Sequence, residues 1–336
     1  MNKVTRLRYL TYNSCIALIL FVPTAESDWQ VKRNAHGQPN LQGIWTNTTR
    51  TPLQRPEEYS GSQFHTPDEV VQIENRHRQS TIDYRLPVDP SNPAPEQGKE
   101  IRDASDKNFA ILESSTHLSQ INGRYPTSLI VEPSDGKMPI IEGSDQHTYF
   151  KQLAARGFGE ADGPEIRMGS ERCLVIWQLP TMHPMDLISS NYRIVQTNDK
   201  VVIQAEALDN TRIIRLNGKH IPNTMQQWLG DSVGYWQDDT LVVHTNRFRA
   251  EQSNFFFNST IELEIEEWFT PISDDEILYR YRVTDPAIYS QPWTVEMILW
   301  RRPDSFRLFE SACHEGNYSL PNILAGARHQ ESRQEN

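Results

Sequence analysis

The sequence predicts a mainly β protein in which an antiparallel meander of about eight strands closes into a barrel. Three observations support this fold class. Apolar and polar residues alternate with a period of two from Asn191 onward, as in strands with one buried face. Turn sequences such as Asn217-Gly218 separate the alternating segments. No long helical pattern interrupts them, so hairpins rather than crossover helices are expected to join the strands.

The candidate strands of the meander differ in length but share this alternation. They are predicted over 193–197, 201–206, 212–216, 235–246, 260–270, 276–284, 293–301 and 306–312. Charge pairs predict the register of two hairpins, with Glu264 opposite Arg282, Ile265 opposite Tyr281, and Tyr281 opposite Met297. In this register opposite charges face outward and apolar side chains face inward.

The chain before the meander has a different composition. Residues 28–140 are rich in Pro, Asn, Ser and Asp. This composition predicts an irregular N-terminal region over 28–190, with short strands and one helix, packed on the barrel of 191–336. The helix is expected to begin at Pro67 and to end near Gln79. Thr66 is its predicted N-cap, and Glu69 completes a capping box.

Residues 1–27 are predicted to be a cleaved signal peptide. Three basic residues precede a short apolar core over 14–22, and small residues around Ala25 follow it. A retained N-terminal anchor is the alternative interpretation. We therefore expect a secreted or periplasmic protein.

Composition excludes several classes of partner. The chain of 336 residues is 37% hydrophobic and 23% charged, which is typical of a globular protein rather than a disordered one. Its net charge of −11 argues against binding of nucleic acid, because such binding requires a basic surface. No apolar run has the roughly 18–20 residues of a membrane-spanning helix, so we predict no integral membrane segment in the mature chain.

Two cysteines, Cys173 and Cys313, remain in the predicted mature chain. An even pair in an oxidising compartment favours a disulfide. The alternative is a thiol–imidazole pair formed by Cys313 and His314. Adjacent residues on an extended chain point to opposite faces, which disfavours that pair.

Six short motifs occur in order along the chain, at Gln42–Thr46, Glu171–Leu174, Gln226–Ser232, Asp239–Val243, Pro292–Thr294 and Cys313–Tyr318. Together they resemble a large group of secreted bacterial proteins that has no established shared reaction. The resemblance covers nearly the whole mature chain and implies secretion and a common fold. Both cysteines lie within its motifs. The chain departs from the group at Asp209-Asn210, where the group tends to have a His-Asp pair.

The tripeptide Gly43-Ile44-Trp45 is similar to the Gly-x-Trp element of lipocalin-like barrels. In such barrels the tryptophan commonly closes one end. Together with the meander downstream, this similarity implies a lipocalin-like barrel.

Common catalytic and cofactor motifs are absent from the sequence. It contains no GxGxxG, GxxxxGK[ST], HExxH or GxSxG pattern. We therefore predict no cofactor and no metal. The chemistry that remains is that of acids, histidines, tyrosines and arginines.

Four residues are candidate catalytic groups. Glu310 is predicted on the inner face of the last strand, where apolar surroundings suit a general acid or base; a place at the barrel rim, or a bond to an inward arginine, is the alternative. His314 and Glu315 follow that strand and are expected to border the barrel mouth, unless they form a structural ion-pair cluster at the disulfide. His244 lies on a strand and is either a base or a structural group.

The predicted substrate-binding residues share positions in the lumen or near the disulfide. They are Tyr279, Tyr281, Arg212, Arg172, Glu171 and Met297. Tyrosines in a lumen can stack on a ligand and bind it by hydrogen bonds, although core packing is an equal alternative. Arg212 is alternatively expected to pair with Glu206 across a hairpin.

Three functions are compatible with these features. The first is a cofactor-independent lyase, isomerase or cyclase that acts by proton transfer on a hydrophobic small molecule in the barrel cavity. The second is a lipocalin-like carrier that binds such a molecule without catalysis. The third is an envelope protein whose N-terminal region mediates assembly. We predict the enzyme.

Overall fold

A closed barrel of nine strands forms the centre of the protein. The computed structural model describes residues 29–85, 117–175, 180–183, 190–252 and 258–334. The predicted signal peptide lies outside these residues. The barrel order is β1-β3-β4-β5-β6-β7-β8-β9-β10, and β1 pairs back to β10. The strands are β1 (Gly43–Thr46), β2 (Ile130–Glu132), β3 (Asn191–Gln196), β4 (Lys200–Ala205), β5 (Thr211–Leu216), β6 (Asp231–Gln237), β7 (Thr240–Asn246), β8 (Glu264–Pro271), β9 (Glu276–Thr284) and β10 (Trp293–Arg301).

Strand β1 closes the barrel although it comes from the region predicted to pack outside it. Trp45 lies opposite Tyr192 of β3 and opposite Arg301 of β10. The eight strands of the second half therefore leave one gap, and β1 fills it. The short β2 pairs with β10 beside this closure.

The prediction of a purely antiparallel meander was wrong at one place. Strands β5 and β6 are parallel, with Ile214 opposite Ser232. Parallel neighbours require a connection that carries the chain back to its starting end, and residues 217–230 do this here without a helix. The predicted strand over 235–246 is in fact the hairpin of β6 and β7, which turns at Asp238 with a φ of 52°.

Both predicted hairpin registers are wrong by two residues. Ile265 lies opposite Val283, and Glu266 lies opposite Arg282. In the next hairpin Tyr281 lies opposite Val295. The inward and outward faces were nevertheless predicted correctly, because a shift of two keeps every side chain on its face.

The last predicted strand, over 306–312, does not form. This segment is irregular in the structure. One edge of β10 pairs with β9, and the other pairs with β1 and β2. Strand β10 therefore has no free edge for a further strand.

The described residues include three α-helices outside the barrel wall: α1 (Pro67–Arg85), α2 (Tyr149–Ala155) and α3 (Ser319–Gln334). The capping box that predicts α1 is present. The Thr66 N–H donates to Glu69 at 2.7 Å, and the Glu69 N–H donates to Thr66 Oγ1 at 3.3 Å. Helix α1 continues beyond Gln79, and neither α2 nor α3 was predicted. Of the helices in the described ranges, none combines the length and apolar character that crossing a membrane requires.

The barrel interior is packed with large side chains. Aromatic rings of β8, β9 and β10 contact one another in sequence, with centroid distances of 4.7 Å for Phe269 and Tyr279, 5.6 Å for Tyr279 and Tyr281, and 6.1 Å for Tyr281 and Trp293. Burial of these rings contributes to the stability of the barrel.

Candidate functional site

Among the described residues, the interior of the barrel holds one buried ion pair. Arg212 and Glu267 are 2% and 0% exposed, and Arg212 Nη1 lies 3.0 Å from Glu267 Oε1. Arg212 also donates hydrogen bonds to Ser232 and Thr245, and the Tyr279 hydroxyl donates to Glu267 at 2.8 Å. Arg212 therefore does not pair with Glu206, contrary to that alternative. Its hydrogen-bond donors are used within the protein, which indicates a structural role.

Tyr279, Tyr281 and Met297 point into the barrel as predicted, and all three are fully buried. Burial raises the pKa of Tyr279 and of Tyr281, so both phenols stay protonated. Tyr279 accepts a hydrogen bond from the Met182 N–H at 3.2 Å. The Tyr281 hydroxyl has no hydrogen-bond partner among the described groups. These side chains pack the interior, and their role in binding a substrate stays a prediction.

Glu310 does not lie in the lumen, so its predicted position was wrong. Its segment forms no strand, and the side chain is exposed. His314 and Glu315 are exposed on a short 3-10 turn, Cys313–Gly316, and do not border a barrel mouth formed by a last strand. The structure therefore removes the physical reason for choosing these three residues.

The predicted disulfide between Cys173 and Cys313 is present, with a Cα–Cα distance of 5.8 Å. Asn317 Nδ2 donates a hydrogen bond to the Glu171 carbonyl at 2.7 Å. The Glu171 side chain pairs with Arg167 at 2.6 Å.

Arg172 turns away from this cluster. Its guanidinium lies 5.7 Å from the ring of Trp228. The disulfide therefore joins the two loops as expected, but it does not gather Arg172 with His314 and Glu315 into a shared site.

A hydrogen-bonded chain of three titratable groups lies on the outer face of the barrel. Asp231 begins β6, His244 is on β7, and His220 comes from the loop between β5 and β6. His220 Nδ1 lies 2.8 Å from Asp231 Oδ2, and His220 Nε2 lies 2.9 Å from His244 Nδ1. We call these three residues the relay.

The barrel wall positions the relay. Val233 of β6 lies opposite His244 of β7, and Asp231 lies one outward position further along β6. Inward residues of β7 are the odd-numbered ones, such as Val243, so His244 faces outward. It therefore does not act inside a barrel cavity, which corrects the predicted location of its chemistry.

Asp231 is held as a carboxylate. Burial would raise its pKa, but hydrogen bonds from Arg215, His220 and the Ile221 N–H outweigh this effect and lower the pKa. Arg215 binds both carboxylate oxygens of Asp231, at 2.7 and 3.0 Å. A buried carboxylate with this arginine partner orients an imidazole without taking its proton.

The tautomers of both histidines follow from the ionised Asp231. The carboxylate requires a proton on His220 Nδ1, so the Nε2 atom of a neutral His220 accepts a hydrogen bond. His244 then donates from Nδ1, which leaves its Nε2 atom with a lone pair. That atom lies 3.6 Å from Glu264 Oε2, and the His244 side chain is 34% exposed. The relay therefore ends in an accessible proton acceptor.

A cleft adjoins the relay on the side of Asp231. It has a volume of about 630 Å³, within the range of small-molecule sites. Pairing between β5 and β6 begins at Ile214 and Ser232, and the cleft opens where the two strands are not yet paired. Its lining comprises Lys200, Thr211, Arg212, Ile213, Arg215, Gln226, Gln227, Trp228, Leu229, Gly230, Asp231, Ser232 and Arg249.

Sequence reasoning identified His244 but missed His220 and Asp231. The three residues are separated by 11 and 24 positions, and they meet because the loop between β5 and β6 brings His220 beside the antiparallel strands β6 and β7. The signal available in the sequence was the Asp231 motif at Gln226–Ser232, which was used for the resemblance alone. In the described part of the chain, no group of three or more His, Cys, Asp or Glu side chains is placed to hold a metal ion.

Comparison with known proteins found no match, so the interpretation of the site rests on its geometry. The chain matches no family model, and no similar protein was found among curated proteins or solved structures. The resemblance to secreted bacterial proteins stays a prediction from the motifs.

Proposed function

We propose that the protein is a secreted or periplasmic, cofactor-independent enzyme of the lyase or isomerase type that transfers protons on a hydrophobic small molecule. One observation carries this proposal: the hydrogen-bonded relay from buried Asp231 through His220 to the accessible Nε2 atom of His244. The same arrangement of carboxylate and imidazole activates general bases in other enzymes.

His244 is the group that accepts the proton. When its Nε2 atom takes a proton from a substrate carbon or hydroxyl, the positive charge lies near Glu264 and, through His220, near Asp231. General base catalysis of this kind typically contributes about 10²–10⁴ in rate.

The proton that His244 accepts is returned within the same reaction, so no proton is gained or lost overall. Protonated His244 returns it to a different atom of the substrate, which gives an isomer, or to a leaving group, which gives an elimination. No electrons are gained or lost in either case. The products therefore have the composition of the substrate, as one molecule or as two fragments.

The location of the protein is part of the proposal. The Cys173–Cys313 disulfide is typical of oxidising compartments and supports export. A carrier without catalysis is the second candidate, and the cleft of about 630 Å³ favours it because that volume suits a bound small molecule.

An untargeted turnover experiment tests the proposal. The purified protein is incubated with a small-molecule extract of its source culture, and mass spectrometry follows compounds that disappear and their products. His244→Gln and His220→Gln should each slow the conversion about 100-fold or more. His36→Gln is the control, because His36 is exposed and lies in a separate turn.

Each result of this experiment decides between the candidates. Conversion that depends on both histidines, without an added cofactor, supports the enzyme. Full conversion by the two histidine variants contradicts the proposed role of the relay. If the wild-type protein converts nothing, the enzyme is rejected, and a compound retained unchanged on the protein identifies a carrier.

A further inference from the structure

We infer that the cleft beside the relay binds an amphipathic organic anion, a small molecule with an apolar body and one carboxylate-like group. The inference concerns binding alone and stands whether or not the relay is catalytic. Two rows of side chains on the outer face of β3, β4 and β5 carry it.

The first row is apolar and accessible. Val195 lies opposite Val202, and Val202 lies opposite Ile213, which lines the cleft. Val195 is 42% exposed and Ile213 is 53% exposed. Three neighbouring apolar side chains on the solvent side of a sheet have no packing role within the barrel, and such patches often bind ligands. With strands about 4.8 Å apart, the row is about 10 Å long, which suits a two-ring aromatic or a short acyl chain.

The second row is basic and runs beside the first. Lys200 lies opposite Arg215, one outward position further along β4 and β5. Both residues line the cleft. An anion held by this row would therefore have its apolar body on the first row, so the two rows together select an amphipathic molecule.

The charge of the cleft contrasts with that of the whole protein. Among the lining residues four are basic and one, Asp231, is acidic, although the chain has a net charge of −11. Arg212 and Arg215 are neutralised by Glu267 and Asp231. Lys200 and Arg249 form pairs with Asp199 and Glu251, and their own side chains are 44% and 42% exposed. Exposed ion pairs are weak, so these two cations can also bind an anionic ligand.

Trp228 and Arg249 form another part of the cleft wall. The Arg249 guanidinium lies 4.8 Å from the centre of the Trp228 ring. Arg249 uses Nε and Nη2 on Glu251, and its Nη1 atom has no partner among the described residues, so it can donate to an anion. The indole beside it provides an apolar surface for the body of the ligand.

Calorimetric titration with two matched probes tests the inference on the full protein. The probes are 2-naphthoate and the neutral 2-naphthamide, which share the two-ring body and differ in charge. We expect naphthoate to bind about tenfold more tightly or better, because a charge-assisted hydrogen bond replaces a neutral one. High salt, about 0.5 M, should reduce this preference. Equal binding of both probes, or binding of neither, would overturn the inference.

Two variants locate the site, and each has a control. Ile213→Asp places a negative charge on the apolar row, and Arg249→Gln removes a positive charge from the wall. Each should weaken naphthoate binding about tenfold. Val71→Asp, at a 58% exposed position of α1, and Arg124→Gln, whose guanidinium lies over Phe64 at 4.2 Å, are the controls. Unchanged affinity in both cleft variants would place the probe elsewhere and refute the assignment.

The outcome is separable from that of the proposed function. His220→Gln and His244→Gln should keep the affinity for naphthoate within about twofold, because neither histidine lines the cleft. Naphthoate binding without histidine-dependent turnover would reject the enzyme and keep the anion site. Histidine-dependent turnover without naphthoate binding would support the enzyme and reject the anion site.

Discussion

The interior and the outer face of the barrel both pair an arginine with a carboxylate, yet burial gives the two pairs different roles. Arg212 and Glu267 are sealed inside, and the donors of Arg212 are all used by protein acceptors. On the outside, Arg215 holds Asp231 while its own side chain is 35% exposed. Asp231 is hydrogen-bonded to His220, which is hydrogen-bonded in turn to the accessible His244. The sealed pair stabilises the fold, whereas the open pair is placed to act on another molecule.

The largest expected effect is the loss of the interior pair. Glu267→Ala should lower the free energy of unfolding by about 3–5 kcal/mol, because it leaves Arg212 charged and unpaired in the core. Urea unfolding measures this difference. The double variant Arg212→Met with Glu267→Leu should recover most of it. A loss below about 1 kcal/mol for the single variant would show that the interior pair is not sealed from water.

The buried His183 provides a second test of how burial changes the role of a charged group. His183 is 4% exposed, and burial lowers its pKa to about 4. The unfolded chain binds a proton below an ordinary pKa of 6.5, whereas folded His183 does not. This residue therefore costs stability as the pH falls from 6.5 to about 4, by about 3 kcal/mol. The stability of His183→Gln should vary less with pH over this window, and identical pH profiles for the two proteins would contradict the assignment.

The outer pair should tolerate removal better than the interior pair. Asp231→Asn should cost about 1–3 kcal/mol, less than Glu267→Ala, because water can reach Arg215. Its effect on turnover should be larger than its effect on folding, since an amide no longer fixes the protonated atom of His220. If a folded Asp231→Asn protein keeps wild-type turnover, the relay is not required for the reaction.

Ion pairs further along the outer face should contribute least. Arg282 Nη1 lies 3.5 Å from Glu266 Oε2, and the side chains are 37% and 44% exposed. Arg282→Gln should therefore change the free energy of unfolding by less than about 1 kcal/mol. A larger loss in urea unfolding would indicate that the outer charges form a cooperative network.

The sequence predicted which side chains of a strand point inward better than it predicted which residues lie opposite each other on neighbouring strands. Ile265, Tyr281 and Val295 were placed inward because strand alternation has a period of two, and they are inward. Their partners were wrong by two residues, because both registers place opposite charges together: Glu266 meets Arg280 in the predicted register and Arg282 in the observed one. The centre of each turn decides between those registers, and no single residue marks it.

The error at Glu310 has a related cause. Residues 306–312 alternate like a strand, and Phe306 and Leu308 are half-buried while Phe309 is 73% exposed. A segment that lies along a surface reproduces this pattern without sheet hydrogen bonds. The absence of a free edge on β10 is a property of the whole barrel, so local alternation could not reveal it.

The relay could not be predicted from the sequence for a similar reason. His244 was selected as a lone strand histidine, but its partners come from the loop between β5 and β6 and from β6, the antiparallel neighbour of β7. Parallel pairing of β5 and β6 depends on the path of residues 217–230, which carry no repeating pattern. The disulfide, by contrast, was predictable because two cysteines allow one pairing.

The protonation of the relay histidines is the most direct test of the account. Nitrogen-15 NMR of the imidazole rings at neutral to mildly alkaline pH distinguishes a proton on Nδ1 from one on Nε2. We predict a proton on Nδ1 of both His220 and His244, and we predict that Asp231→Asn changes both signals. A proton on Nε2 of His244 with no response to Asp231→Asn would contradict the relay, and with it the proposed proton acceptor.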